Sequence, residues 1–121
     1  KVNMDLLKIL EFKLNICLNS KLLEDGTLVE ERKVVGRLEG FELRIYPNEH
    51  PPPHFHIVNS EFDASYKIED CSKLNGSKLK KNMLKKLKVF HRENKESLIK
   101  VWDEMRTSDC SVGEYKRKTS T

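Results

Sequence analysis

His54-Phe55-His56-Ile57-Val58-Asn59-Ser60-Glu61-Phe62-Asp63-Ala64-Ser65-Tyr66-Lys67-Ile68 is the stretch on which the fold of this chain turns. Two runs, His54 to Asn59 and Phe62 to Ile68, flank a short Asn-Ser-Glu connection of the kind that closes a β-hairpin. Side chains alternate across a strand, so Phe55 and Ile57 take one face and His54 and His56 the other. In the returning strand Phe62, Ala64, Tyr66 and Ile68 lie opposite Asp63, Ser65 and Lys67. Upstream, Val34 to Leu38 and Phe41 to Tyr46 alternate around Glu39-Gly40 and predict another hairpin, with Phe41, Leu43 and Ile45 on one face. Between the hairpins, Pro47-Asn48-Glu49-His50-Pro51-Pro52-Pro53 has four residues without an amide donor, so it predicts an ordered extended loop rather than a central strand.

Working further out, Glu11 to Asn19 alternates Phe12, Leu14, Ile16 and Leu18 with Lys13, Asn15 and Asn19, which predicts a strand. Residues 4–10 are either a helical turn or an extension of it, and a loop follows from Ser20 to Thr27, centred on Glu24-Asp25-Gly26. On the other side, Leu79, Met83, Leu84, Leu87 and Phe90 form one helical stripe, with Ser77 as its N-cap. Asn94 marks a break and a new cap, after which Leu98, Ile99, Trp102 and Met105 form a second stripe with Trp102 in the core, fading near Arg106-Thr107. Strands first and helices last segregate the helices to one side. The expectation is an α+β fold: an antiparallel sheet of four to five strands with two C-terminal helices packed on one face. A single domain spans residues 1–107, and residues 108–121 are a mobile tail.

The chain has 121 residues, a size for one domain with one core. Charged residues make up 35% and hydrophobic residues 37%, against typical values of about 25% and roughly 45–50%. That composition leaves no apolar run long enough to cross a membrane, and the N-terminus has no signal pattern. Cys17, Cys71 and Cys110, odd in number and widely spaced, make neither a disulfide framework nor a zinc knuckle. A cytoplasmic protein is expected. The net charge of +4 is unevenly placed: residues 1–72 have a balance of −4 and residues 73–121 a balance of +8. Such a split points to an anionic partner or to a solvated helical face.

Two sets of residues can carry chemistry. His50, His54 and His56 fall within seven residues. His54 and His56 on one strand face are a competent pair of metal ligands, with His50 as the third and Glu49 or Glu61 as a carboxylate. Without a metal the same imidazoles, with His91, serve as general acid and base, or else the rings and prolines build a rigid corner. The second set is basic. Between Lys73 and Lys95 nine Lys/Arg stand against one acid, Glu93. Lys81, Lys85, Lys88 and Arg92 recur at helical steps, with Lys78 just ahead of them, and a row of phosphates would relieve their mutual repulsion.

The run His54-x-His56 followed four residues later by Glu61 has cupin ligand spacing, but the flanking glycines and a second motif are missing. The alternation of histidines in histidine-triad hydrolases fails at Val58. The longer run Ile45-Tyr46-Pro47-Asn48-Glu49-His50-Pro51-Pro52-Pro53-His54-Phe55-His56-Ile57, with Phe62 to Ile68, Leu74-Asn75-Gly76 and a helix pair holding His91 and Leu98 to Trp102, resembles a small prokaryotic family, domain of unknown function 4160. The likeness covers about residues 34–105. It implies a compact α+β domain, often encoded beside another small protein in toxin–antitoxin-like settings, with any shared function at the His50 to His56 loop and no established reaction.

Two functions follow as expectations. One is a binding module of a toxin–antitoxin-like or defence locus, contacting nucleic acid or a co-encoded small protein through Lys78, Lys81, Lys85, Lys88 and Arg92 and the proline–histidine loop. The other is a small hydrolase or nuclease, with or without a divalent metal, using His50, His54, His56 and His91. Convergence of the four rings in an open cleft favours the enzyme; scattered, carbonyl-bonded rings favour a structural corner.

Overall fold

The hairpin at the centre of the sequence is the centre of the sheet. A computed structural model describes residues 4–25, 27–29, 40–46 and 52–105. Its elements in chain order are α1 (Met4–Leu18), β1 (Lys21–Leu22), β2 (Leu28–Val29), β3 (Glu42–Arg44), β4 (His54–Val58), β5 (Asp63–Lys67), β6 (Lys73–Gly76) and α2 (Lys81–Glu104). Strands β3-β4-β5-β6 form an antiparallel sheet in that order, and β1 and β2 pair as a separate two-stranded ribbon. Leu43 lies opposite Ile57, Ile57 opposite Ala64, and Phe55 opposite Tyr66, so these buried side chains share one face. Glu42, Arg44, His54, His56, Asp63, Ser65 and Lys67 take the other.

The α+β class holds, with four strands in the main sheet, but the helices are placed differently from the expectation: one is N-terminal and one C-terminal. The predicted strand Glu11 to Asn19 is instead helix: α1 takes it up to Leu18, and Asn19 is the turn that follows. Leu10, Leu14 and Leu18 are buried, whereas Phe12 is 67% exposed. A four-residue spacing satisfies both a period of two and a helical turn; what distinguishes the two is length, because Leu6, Leu10, Leu14 and Leu18 keep that spacing through an element of 15 residues, too long for an ordinary strand. The polar residues of the supposed strand serve the helix. Asn15 donates its Nδ2 to Phe41 O and accepts from Phe41 N, and a Glu11 carboxylate oxygen accepts from Leu43 N at 3.0 Å. Together they cover the outer edge of β3, which would otherwise present unpaired backbone groups.

The two predicted C-terminal helices are one helix of 24 residues. Asn94 does not break it, because its Nδ2 turns back to donate to Phe90 O one turn earlier, inside the core. Nor is Ser77 the N-cap. The helix starts at Lys81, and Ser77 instead bonds its N–H to Asp63 O, extending the contact of β6 with β5. Strand β6 was not foreseen. Gly76, at φ +96°, makes it possible: a Cβ there would collide with the Asp63 backbone. The turn into β6 places Cys71 at φ 60°, held by an Asp70 carboxylate oxygen that accepts from Ser72 N and Ser72 Oγ.

The turn expected at Glu24-Asp25 connects β1 to β2, where Asp25 Oδ1 accepts from Thr27 N at 2.9 Å. The core joins Leu10, Leu14 and Leu18 of α1, the inner face of the sheet, and Leu87, Phe90, Leu98, Ile99, Val101 and Trp102 of α2. Lys86 reaches across to donate to Leu18 O at 3.4 Å, meeting the negative end of α1, whose last turn has no basic residue of its own. No helix is long and apolar enough to cross a membrane among the described residues. The predicted hairpin arm 34–38, most of the proline loop with His50 and Glu49, and the tail 108–121 lie outside the described residues.

Candidate functional site

On the polar face of the sheet, strand β4 places His54 and His56 side by side, with ring centroids 5.1 Å apart. The two rings belong to a longer row. Tyr46 meets His56 edge-on at 5.0 Å, and His54 lies against the Trp102 ring at 5.6 Å. The row runs from an exposed tyrosine to a fully buried tryptophan, and His54 at its inner end is 6% exposed. Because a carbonyl only accepts, His54 Nδ1 carries a proton, which it donates to Pro52 O at 2.7 Å. Beside Tyr46, Arg44 donates Nη1 to Tyr46 Oη and Nε to a Glu42 carboxylate oxygen, contacts that raise its already high pKa further. Asp63 Oδ1 stands 4.0 Å from His56 Nδ1 and is mostly exposed.

His91, on α2, serves the same corner from another side. Its Nε2 donates to Ile68 O at 2.5 Å, and Ile68 N in turn donates to Pro53 O. Thus His91 anchors the end of β5, β5 anchors Pro53, and His54 anchors Pro52. Of the four predicted histidines, His54 and His56 are neighbours, His91 and His54 are each committed to a backbone carbonyl, and His50 lies outside the described residues. Among the described residues no group of three His, Cys, Asp or Glu side chains could hold a metal ion. A metal on His54 and His56 would need a further ligand such as His50.

The basic set lies on α2. Lys81, Lys85, Lys88 and Arg92 are all exposed, as is Lys78 just before the helix. Sequence reasoning missed what faces them. The β1–β2 turn comes down beside α2 and leaves an open groove of about 410 Å³, lined by Leu23, Glu24, Asp25, Lys85, Lys88, Val89 and Arg92. Its two walls have opposite charge. The Asp25 carboxyl is held below its ordinary range by the backbone and side chain of Thr27. The signal for this wall was present as the Glu24-Asp25 turn, but the turn residues carried no hint of which helix they would meet. The two thiols among the described residues have no activated setting: burial raises the pKa of Cys17, and that of Cys71 to about 12.

A family model described as Domain of unknown function (DUF4160) matches residues 40–103, more than half of the chain. The chain belongs to the DUF4160 family. The match contains the ring row from Tyr46 to Trp102 and the whole basic stripe. Helix α1 and the β1–β2 ribbon precede it, so the groove joins a DUF4160 wall to one outside the matched stretch. Comparison with curated proteins and with solved structures found no match.

Proposed function

We propose that this DUF4160 chain is a non-enzymatic binding module that holds nucleic acid by its phosphates along α2, in a toxin–antitoxin-like or defence setting of the kind the family resemblance implies. The observation that supports it is the helix itself. Lys81, Lys85, Lys88 and Arg92 stand exposed on α2, while Leu87, Phe90, Leu98 and Trp102 fix the same helix in the core. The charges are therefore held in a row by packing, and the entropy of ordering the backbone is spent on folding rather than on binding. Lysine predominates, which suits backbone contact; the bidentate base reader is arginine, and Arg92 is the one arginine in the row.

The hydrolase reading draws on the closeness of His54 and His56, but His54 and His91 each already spend one ring nitrogen on a carbonyl. Binding of an end-labelled oligonucleotide, followed by fluorescence anisotropy across a salt series, tests the proposal. Neutralising about four phosphates gives a slope of log affinity against log salt of roughly −3 to −4. Lys81→Glu/Lys85→Glu abolishes binding, whereas His56→Ala leaves it nearly unchanged. Full binding by the double charge reversal would rule the proposal out.

A further inference from the structure

From the opposed walls of the groove between the β1–β2 turn and α2, we infer that the acidic turn makes the basic stripe selective for single-stranded nucleic acid over duplex. This rests on the binding proposal above and adds to it the form of the ligand. Lys85, Lys88 and Arg92 occupy one wall, Glu24 and Asp25 the other, and Leu23 and Val89 the apolar part of the lining. Lys85 to Arg92 is two turns of helix, a rise of about 10 Å, so the three cations form a short row along one wall.

A single strand can turn about its backbone. It then presents phosphates to the lysine wall and its sugar and base edges, which carry N–H and O–H donors, to the carboxylates. A duplex has no such freedom. Its two phosphate rails flank every groove, so seating one rail on Lys85, Lys88 and Arg92 brings the turn's carboxylates against the anionic surface of the same duplex. The groove, about 410 Å³ and open to solvent, is on the scale of a small-ligand site. Both carboxylates are exposed, and Asp25 is fixed in place by its bond to Thr27 N.

Glu24→Gln/Asp25→Asn removes both charges while Asn keeps the acceptor that closes the turn, so the ribbon is retained; an unchanged melting temperature verifies it. The probes are a labelled mixed-sequence oligonucleotide of about 16 residues, within the site size of compact single-strand binders, and the blunt duplex of the same sequence. The wild type binds the single strand at least about fivefold more tightly than the duplex, and the variant gains about fivefold for duplex with a smaller gain for single strand, the scale of surface charge pairs. Equal wild-type affinity for the two probes, or an equal gain for both in the variant, overturns the inference and leaves the stripe proposal standing. A wild type that binds neither probe at low salt overturns the stripe proposal and this inference together.

Discussion

On the polar face of the sheet, His54 donates its ring proton to Pro52 and lies against Trp102, whereas on α2 the ammonium groups of Lys81, Lys85 and Lys88 stand out in solvent. The histidines are the residues whose chemistry first suggests catalysis, yet His54 and His91 direct a ring nitrogen inward at a backbone carbonyl, and His56 lies between the rings of His54 and Tyr46. The lysines carry little chemistry singly but direct all their charge outward. A buried polar group with its partners supplied is a structural device, and a row of exposed like charges on a rigid element is a device for meeting something else. The contrast predicts that the histidine corner registers in stability and the stripe in binding.

The largest effect lies at the inner end of the ring row. Trp102→Ala removes a fully buried indole and the surface on which His54 rests, and should cost about 3–5 kcal/mol. Lys88→Ala, on the exposed side of the same helix, should stay within about 0.5 kcal/mol. Urea denaturation of both variants measures the difference. A Trp102→Ala cost no greater than that of Lys88→Ala would break the comparison, since the row would then not be part of the core.

His54→Ala comes next. It removes the donor to Pro52 O and leaves that carbonyl and the face of the indole that His54 covers to water, an expected loss of about 1–3 kcal/mol. At a temperature where the variant remains folded, its affinity for the labelled oligonucleotide should match that of the wild type. Lost binding with unchanged stability would instead make the histidine face the functional surface and would revive the enzymatic reading.

The parts of this molecule that are legible in its sequence are those where a second signal stands beside the period. The β4–β5 hairpin is legible because the Asn59-Ser60-Glu61 turn bounds the alternation of Phe55, Ile57, Ala64 and Tyr66 at strand length, and the register of the pair agrees. The core positions of α2 are legible because the steps among Met83, Leu84, Leu87 and Phe90 fit a helix and no strand. Helix α1 was misread because Leu14 and Leu18, four apart, fit both periods, and because Glu11 and Asn15, polar residues that cover a strand edge, resembled the outward residues of a strand. Asn94 was misread because a residue that favours caps can also bond back along its own helix. His54 and His56 lie on a strand and Lys81, Lys85, Lys88 and Arg92 on an exposed helix face, as their spacing implies. Their partners are not legible in the sequence, since Ile68, Trp102, Glu24 and Asp25 meet them only through tertiary contact.

The smallest effect joins the two regions at Cys71, which lies under the stripe, close enough to Lys88 for that ammonium to lower its pKa, while Asp70 raises it. Burial outweighs both and pushes the thiol up to about 12 from its ordinary 9.0; the neighbouring Tyr66 hydroxyl is also raised by burial, with Cys71 adding to it. The sign follows from the raised value. The folded state keeps the thiol neutral while the unfolded chain ionises it above 9.0, so this contribution is whole below 9.0 and is lost as pH climbs toward 12. Near pH 10 the loss is about 1.4 kcal/mol. Because Cys71→Ala lacks the group, the stability gap between wild type and variant should narrow by that amount between neutral pH and about pH 10, the ionisation of the lysines being common to both. Urea denaturation of the pair at the two pH values reads it directly. A gap that does not narrow would mean that Cys71 is open to solvent and that the base of the stripe is not packed as tightly as the histidine corner.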